Sequence, residues 1–225
     1  DSVLEQTFKD YEIILVDDGS PDNCPRICDE YSRKDSRIKV VHQTNAGLAC
    51  ARNSGIKVAT GEYIVCIDSD DYMRLDTLKI LYDLICEYDA DIVQCNFQKV
   101  DEDGNLIPRK YRFPDNIIRV YSRDEIPDNT DDINTISCGK LYKSYIFENL
   151  RYPKCRIHED EYLIHHVIGN ANKVIVTGKK LYMYLQRNNS LTGNIKTKFY
   201  DGVTTMFLGL IWTGMNILSR SIIPK

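Results

Sequence analysis

The chain has 225 residues, of which 43% are hydrophobic and 28% are charged, and its net charge is −4. This composition excludes an intrinsically disordered chain and fits a globular protein of one large domain, or of a domain with an extension. The longest uncharged run, residues 202–219, is interrupted by Gly, Thr and Asn. No transmembrane helix is therefore predicted, and no N-terminal signal pattern is found.

The net charge conceals an asymmetry along the chain. Residues 1–138 carry a charge of −12, whereas residues 139–225 carry +8. The basic portion suits an anionic partner such as a membrane surface or a phosphorylated acceptor, but charge alone favours a solvated basic face. The eight cysteines lie mainly in apolar segments. They are interpreted as reduced core residues of a cytosolic protein.

The first half of the chain alternates apolar runs with amphipathic segments. Strands are predicted at residues 12–16, 37–42, 62–67 and 91–95. Helices are predicted after an N-cap at Ser20, from Asn45 to Thr60, and from Leu75 to Ile85. This alternation predicts an α/β fold with a parallel sheet, whose ligand site lies at the carboxyl ends of the strands.

The second half is less regular. A turn at residues 101–105 is predicted to join two antiparallel strands, and Ser122 with Glu125 fits a capping box. Helices are predicted at residues 140–147, from residue 158 onward and at residues 199–218. Late strands are predicted at residues 173–177 and 181–186, followed by a loop at residues 187–192. The hairpin and the isolated strands indicate an added antiparallel portion.

An acidic cluster, Asp68-Ser69-Asp70-Asp71, follows the strand predicted at residues 62–67. In an extended segment, residues two apart point the same way, so Asp68 and Asp70 would converge while Asp71 points elsewhere. Clustered carboxylates repel each other unless a cation neutralises them, and Mg²⁺ or Mn²⁺ prefers oxygen ligands. The alternative is a solvated turn that caps the next helix, and the motif by itself favours this alternative.

Further motifs occur along the chain in a fixed order. They are Val16-Asp17-Asp18-Gly19-Ser20, Asn45-Ala46-Gly47, Ala51-Arg52-Asn53, Gly61-Glu62-Tyr63, Asp68-Ser69-Asp70-Asp71, Gly139-Lys140-Leu141, Glu159-Asp160 and Arg187-Asn188-Asn189-Ser190. Together they resemble the family-2 glycosyltransferases of GT-A fold, bacterial enzymes that build surface polysaccharides. The similarity runs from residue 2 to about residue 192.

The resemblance implies a GT-A-like fold with a mostly parallel central sheet, flanking helices and a small antiparallel portion. It implies a glycosyltransferase domain at residues 1–195 and a C-terminal helical extension at residues 196–225. Within the domain, about residues 1–100 would bind the nucleotide and about residues 100–195 would face the acceptor.

The resemblance also implies roles for individual side chains. Asp160 would be the catalytic base, and Asp70 would bind the divalent metal, Mn²⁺ or Mg²⁺. Asp17 or Asp18 would contact the base and ribose of the nucleotide. The residues that would bind the nucleotide sugar are Asp17, Asp18, Asn45, Arg52, Asp68 and Arg187.

The implied function is inverting transfer of a sugar from a nucleoside-diphosphate sugar, most simply UDP-linked, to a hydroxyl of a saccharide or lipid-linked acceptor. Such a protein would be cytoplasmic, with peripheral contact at the inner face of the membrane, and would have no nucleic-acid partner. A nucleotide-sugar binding module that has lost catalysis is the alternative from another class. A dinucleotide-dependent oxidoreductase would need a G-x-G-x-x-G loop after the first strand, and the sequence has none.

The sequence departs from the family pattern in two places. The family begins with a strand that contacts the nucleotide, and nothing in this sequence corresponds to it. Because that strand would be central, the sheet should be interrupted there. Many relatives also carry a Trp before an Asn-Lys-Leu motif, whereas Ser137-Cys138-Gly139 precedes Lys140 here. Acceptor specificity is therefore not carried over.

Overall fold

The computed structural model describes residues 1–111, 113–126, 131–154 and 159–187. The strands are β1 (Ile13–Asp17), β2 (Ile38–His42), β3 (Tyr63–Val65), β4 (Tyr72–Met73), β5 (Ile92–Val100), β6 (Ile118–Ser122), β7 (Lys140–Lys143) and β8 (Lys173–Leu185). The helices are α1 (Cys24–Lys34), α2 (Leu48–Val58), α3 (Thr77–Glu87) and α4 (Glu159–Asn170). The α/β class predicted from the alternation of strands and helices is confirmed.

The strands form two sheets. β1 pairs with β2 in parallel. The second sheet has the order β3-β7-β5-β8-β4, and β6 also pairs with β8. In the described part of the chain, β1 therefore has β2 as its only strand neighbour and β3 has only β7. The described strands thus form two separate sheets, one of β1 and β2 and one in which β3 is an edge strand.

The second sheet is mixed, and its antiparallel share is larger than the small portion that was predicted. β5 and β8 run parallel, but β7 is antiparallel to both β3 and β5. β4 and β6 are likewise antiparallel to β8. The βα units of the first half predicted parallel pairs, and only the hairpin and the isolated later strands were expected to add antiparallel ones. Of the strands from residue 118 onward, β6 and β7 join the sheet without such crossovers and run antiparallel to their neighbours.

The core lies on both faces of the second sheet. Ile92 of β5 and Val174 of β8 pack in a cluster with Leu163 and Val167 of α4. Their chain neighbours Val93 and Ile175 pack on the opposite face in a cluster with α3. This alternation is the period of two that a strand imposes. The result is a three-layer arrangement of α3, sheet and α4.

The helix predicted at residues 140–147 is wrong over its first half. Lys140–Lys143 is a strand between β3 and β5, and only Ser144–Phe147 is a short 3-10 helix. Leu141 packs in the cluster that contains α3, whereas Tyr142 packs in the cluster that contains α4. A segment buried on both faces has no polar side to reveal its period, so its apolar residues also fit a helix.

The two late strands predicted at residues 173–177 and 181–186 are one continuous strand, β8. Gly178, which lies between the two predicted segments, does not end the strand. Gly178 instead permits a close crossing of chains, because a Cβ at this position would lie 1.9 Å from the Pro114 carbonyl oxygen. Residues 188–192 of the loop predicted at residues 187–192, and the helix predicted at residues 199–218, lie outside the described residues.

Two helix starts also differ from the prediction. The first helix begins at Cys24 rather than after Ser20, because the Ser20 N–H donates to Asp17 Oδ1 at 3.0 Å and belongs to the preceding loop. The Ser122 N–H does donate to Glu125 Oε2 at 2.9 Å, but this pair closes a turn after β6. The strand β6 was not predicted at all, because its outward side chains are exposed and its pattern is weak.

Candidate active site

Arg52 is the residue around which the predicted site is assembled. It lies on α2, and its side chain is only 9% exposed. Its guanidinium donates to Asp68 Oδ1 at 3.0 Å and to Glu159 Oε1 at 2.5 Å. Asp160 Oδ2 lies 3.5 Å from the same group. One buried cation thus connects the D-x-D segment with the first turn of α4.

The charged side chains of this cluster shift one another's pKa values. Burial opposes the charge of Arg52, but the Asp160 and Asp68 carboxylates more than offset it and raise the pKa of the guanidinium. Burial, together with the charge of Asp160, raises the pKa of Glu159. Glu159 is therefore a buried carboxylate that needs Arg52 beside it in order to stay charged. The sequence indicated Glu159 only as the neighbour of Asp160 in the Glu159-Asp160 motif.

Asp160 is held at the start of α4 by backbone as well as side-chain contacts. Its Oδ2 atom accepts a hydrogen bond from the Ser137 N–H at 3.1 Å, in addition to the contact with Arg52. The side chain is 18% exposed, whereas that of Glu159 is 7% exposed. Of the two neighbouring carboxylates, Asp160 is thus the more accessible to a ligand.

The D-x-D segment is not extended as predicted. The Asp71 N–H donates to the Asp68 carbonyl at 3.0 Å, which closes a turn. Asp68 and Asp70 consequently do not converge on one partner: Asp68 contacts Arg52, and Asp70 forms an ion pair with Arg187. The expectation that they point the same way is wrong, because the period of two applies only to extended backbone.

Asp71 does point elsewhere, as predicted. Its carboxylate accepts hydrogen bonds from the Leu185 N–H at 2.9 Å and from the Tyr182 hydroxyl at 2.7 Å. Tyr182 in turn accepts from the Asp68 N–H at 3.1 Å. Burial raises the pKa of Asp71 to about 6 in spite of these hydrogen bonds. Asp71 therefore joins the acidic turn to the end of β8, two residues before Arg187.

A small pocket opens beside the acidic turn. Asp68 and Asp71 contribute its polar side, and the remaining lining is apolar and aromatic. The residues of that apolar lining are Phe97, Ile136, Cys138, Tyr182 and Tyr184. The rings of Phe97 and Tyr184 meet edge to face with centroids 6.3 Å apart. Its empty volume, about 240 Å³ with the open solvent included, is below the range of about 300–1,000 Å³ that is usual for ligand pockets.

The last residue of β1 and the first residue of the loop after it are the two other predicted aspartates, Asp17 and Asp18. Asp18 accepts hydrogen bonds from the Ala46 and Gly47 N–H groups at 3.0 and 2.7 Å, and so joins this loop to the Asn45 segment. Asp17 accepts from Ser20 and lies 2.9 Å from His42 Nδ1. These hydrogen bonds, the one from His42 first, lower the pKa of Asp17.

The structure thus arranges the predicted residues in three groups. Arg52, Asp68 and Asp160 form one cluster. Asp70 and Arg187 form an ion pair at the adjoining turn. Asp17 lies at the end of β1, and Asp18 and Asn45 lie in the loops that follow β1 and β2, which the Asp18 carboxylate joins. The sequence did not find Ser137 and Tyr152, which contact the first group; no motif marks them.

Two further observations concern the described part of the chain. Within residues 1–111, 113–126, 131–154 and 159–187, no group of three His, Cys, Asp or Glu side chains is preassembled to hold a metal ion. No helix in these ranges is both long and apolar enough to cross a membrane.

Comparison with known proteins gives the family. The sequence model described as "Glycosyl transferase family 2" matches residues 1–151. The chain belongs to glycosyl transferase family 2. This confirms the resemblance seen in the motifs and, with it, the class of enzyme.

Relatives and solved structures agree with this assignment. The chain is 37% identical over 199 residues to the glycosyltransferase GlyA of Streptococcus pneumoniae, covering 85% of this chain and 29% of GlyA. It is 43% identical over 218 residues to the putative glycosyltransferase EpsH of Bacillus subtilis, covering 92% of this chain and 61% of EpsH.

A crystal structure of S. aureus TarS in complex with UDP-GlcNAc superposes with a TM-score of 0.71 at 25% identity, covering 84% of this chain and 54% of TarS. This likeness confirms the expected GT-A-like fold. The chain spans between about a third and three fifths of the length of these three proteins.

Proposed function

We propose that this chain transfers a sugar from a nucleoside-diphosphate sugar to a hydroxyl group, with inversion at the anomeric carbon. The donor is UDP-linked, and the acceptor is a saccharide or a lipid-linked saccharide of a bacterial surface polysaccharide. One observation carries the proposal: Arg52 contacts Asp68 of the D-x-D turn and lies 3.5 Å from Asp160 at the start of α4. Arg52, which would stabilise the leaving diphosphate, is thus adjacent to Asp160, which would accept the proton of the attacking hydroxyl.

The leaving diphosphate gains negative charge as the glycosidic bond breaks. Arg52 is a permanently charged, preoriented donor in a buried position, where electrostatic stabilisation is stronger than in water. Arg187 supplies a second guanidinium at the acidic turn, and 49% of its side chain is exposed. A guanidinium can bind phosphate oxygens through two parallel hydrogen bonds. Arg187 would exchange its contact with Asp70 for the donor diphosphate.

The residues present fit a divalent cation at Asp70. Magnesium is commonly held by one or two carboxylates together with substrate phosphates rather than by a complete protein site. The Asp70 carboxylate is 34% exposed and lies beside Arg187, so it is an accessible hard-oxygen ligand. A bound Mg²⁺ or Mn²⁺ would neutralise charge on the diphosphate of the donor. Asp68 would then lie toward the ribose, while its contact with Arg52 keeps it oriented.

The acceptor hydroxyl must lose a proton as it attacks. Asp160 is the carboxylate suited to accept it, because it is more exposed than Glu159 and is fixed by Ser137. Attack from the side of the base, opposite the leaving diphosphate, inverts the configuration. General-base assistance is typically worth about a hundred- to ten-thousand-fold in rate. The aromatic pocket formed by Phe97 and Tyr184 offers an apolar surface for a sugar ring.

We further propose that residues 1–195 act as the transferase domain and residues 196–225 as a helical extension. The basic balance of residues 139–225, +8, supports peripheral contact with the anionic inner face of a membrane, and hence a cytoplasmic location. The alternative, a binding module without catalysis, predicts donor binding and no transfer.

The test compares Asp160→Asn with Asp70→Ala in the full-length protein. Asp160→Asn retains the size of the side chain but cannot accept a proton. We expect transfer to fall at least about a hundredfold while UDP affinity, measured by calorimetry with Mn²⁺, stays within about twofold. Asp70→Ala should lose both transfer and the dependence of UDP affinity on Mn²⁺. Glu161→Gln, in the same turn of α4, controls for the loss of a helix-start charge.

Each outcome has a distinct meaning. Wild-type transfer in Asp160→Asn would remove Asp160 as the base, and a loss in Glu161→Gln would transfer that role to Glu161. Equal UDP affinity of the wild type in Mn²⁺ and in EDTA would reject the metal. Donor binding without transfer by the wild type, across a panel of saccharide acceptors, would favour the binding module.

A further inference from the structure

Ser137 is a buried residue whose three polar groups all have partners. Its N–H donates to Asp160 Oδ2 at 3.1 Å. Its hydroxyl oxygen accepts a hydrogen bond from the Tyr152 hydroxyl at 2.8 Å, and its carbonyl accepts one from the Tyr142 hydroxyl at 2.9 Å. Ser137 is only 4% exposed. The backbone group that orients Asp160 is therefore itself fixed by two buried tyrosines.

Tyr152 connects this arrangement with Arg52. The side chain of Asn53, the next residue after Arg52 on α2, donates to the Tyr152 carbonyl at 2.9 Å and accepts from its N–H at 2.8 Å. The guanidinium of Arg52 lies 5.5 Å from the centroid of the Tyr152 ring. One tyrosine thus contacts the buried cation with its ring and Ser137 with its hydroxyl.

The segment that carries Ser137 is anchored on its other side by Lys140. The ammonium group of Lys140 donates to the Asn134 side chain and to the Ile136 carbonyl, and Lys140 is fully buried. Residues 134–137 therefore have little freedom to shift on their own. The hydroxyl of Tyr152 is the contact that ties this segment to α2, where Arg52 lies.

We propose that Tyr152 is a positioning residue for the catalytic base: its hydroxyl fixes Ser137, and the Ser137 N–H fixes the carboxylate of Asp160. The inference rests on the proposed function, in which Asp160 accepts the proton of the acceptor hydroxyl. Proton transfer requires the base to lie within hydrogen-bond reach of that hydroxyl. A displacement of about 1 Å can cost about a hundredfold in rate. Burial raises the pKa of Tyr152, so its hydroxyl remains a donor at neutral pH.

A backbone N–H is well suited to hold the Asp160 carboxylate. An N–H has one direction set by the chain, whereas a hydroxyl can rotate. A carboxylate held by a fixed backbone donor keeps one orientation while substrates enter and leave. The tyrosine hydroxyl acts one step further away and does not touch the reacting atoms.

The experiment removes the Tyr152 hydroxyl in two backgrounds of the full-length protein. Tyr152→Phe retains the ring beside Arg52, so UDP affinity should stay within about twofold. We expect kcat to fall about tenfold in the wild-type background, because a positioning contact is lost. In the Asp160→Asn background the same substitution should change the residual rate by less than about twofold, because there is no base left to position.

Ser137→Ala supplies the second variant. It removes the same O–H···O contact but retains the N–H that binds Asp160. We expect a similar fall in kcat, and the double variant Tyr152→Phe/Ser137→Ala should be no slower than the slower single variant. Tyr121→Phe is the matched control, since it removes a buried tyrosine hydroxyl that contacts Asp132. It should leave kcat within about twofold of the wild type.

Three results would overturn the inference: an unchanged kcat in Tyr152→Phe, an equal fall in the Asp160 and Asp160→Asn backgrounds, or additive effects of Tyr152→Phe and Ser137→Ala. A Tyr152→Phe protein that does not fold leaves Ser137→Ala to decide, in the same two backgrounds. Wild-type transfer by Asp160→Asn itself would instead reject the base assignment under the proposed function. The two failures are therefore distinguishable.

Discussion

The replacement of Arg52 by Gln tests whether a single cation stabilises the cluster of carboxylates. The side chain of Arg52 is 9% exposed and that of its partner Glu159 is 7% exposed, with 2.5 Å between their nitrogen and oxygen atoms. Asp68 accepts from the same guanidinium at 3.0 Å. Gln can donate a hydrogen bond but carries no charge. The variant would therefore leave Glu159 as a buried carboxylate without a cation.

The expected cost follows from this burial. Removal of one partner from a buried ion pair destabilises proteins by about 3–5 kcal/mol, because the other charge stays buried. Since domains are stable by only about 5–15 kcal/mol, Arg52→Gln should lose a large share of the free energy of unfolding. The cost should depend on pH. Burial already raises the pKa of Glu159, and loss of Arg52 raises it further.

The sign of the pH dependence follows from this raised pKa. A carboxyl group whose pKa is higher in the folded than in the unfolded state favours folding when protonated, and that contribution is lost as the pH rises through the folded-state value. Arg52→Gln should thus be most destabilised at pH 8 and recover part of the loss at pH 5. The comparison with the wild type at each pH removes the contributions of other titrating groups.

The assay is urea unfolding, followed by circular dichroism, at the two pH values. The variants are Arg52→Gln, Glu159→Gln and the double variant, which should regain about 2 kcal/mol or more of the loss because no unpaired carboxylate remains at residue 159. Arg26→Gln is the control: its side chain is 64% exposed and its pair with Glu30 should be worth less than about 0.5 kcal/mol. A loss below about 1 kcal/mol in Arg52→Gln at pH 8, or no recovery in the double variant, would refute the reasoning.

Two further predictions concern the loops around the site. Gly19→Ala should cost about 2 kcal/mol or more of unfolding free energy in urea titrations and weaken UDP binding, because the residue has φ +69° and its Cβ would lie 2.7 Å from the Asn45 nitrogen. The control is Gly104→Ala, where φ is +82° but the space around the Cβ is open, and it should cost only about 1 kcal/mol. Equal costs of the two substitutions would contradict the argument. Burial raises the pKa of Asp71 to about 6, so its contribution to stability should be lost as the pH rises from about 4 through 6. Because Asp71 is only partly buried, we expect the unfolding free energy of the wild type to fall by about 1 kcal/mol relative to that of Asp71→Asn between pH 4.5 and pH 7.5. Asp83→Asn, at an exposed residue, is the control. A difference between the wild type and Asp71→Asn that stays constant with pH would contradict the prediction.

The sequence predicted the first half of the fold well because its signals are local. Each early strand is a short apolar run followed by polar residues, and β1, β2 and β3 lie within two residues of the predicted starts. The predicted carboxylates after two of these strands belong to the loops or turns that follow them. Strand pairing from residue 118 onward depends on contacts far along the chain, for which a local pattern carries no information. The antiparallel share of the sheet was consequently underestimated.

The candidate site was predicted in its components but not in its connections. The motifs indicated Arg52 and Asp160, yet the ion pair of Arg52 with Glu159 joins residues 107 apart in sequence. Glu159 was indicated only as the neighbour of Asp160 in its motif, and the sequence alone cannot distinguish a charge at a helix start from a buried partner. Asp68 and Asp70 were expected to converge because the segment was taken as extended. The segment instead forms a turn closed by one backbone hydrogen bond, so the two side chains contact different partners.

The segment that was expected to depart from the family pattern contacts Asp160, the proposed base. It consists of Ser137-Cys138-Gly139, directly before Lys140. Ser137 orients Asp160 through its N–H, Cys138 lines the pocket beside Asp68, and Gly139 takes the φ of +70° that lets the chain turn into β7. A large side chain here would occupy the pocket, whereas small ones leave it open. If Asp160 is the base, as proposed, the same residues orient the base and shape the pocket, so a substitution in this segment would change both together.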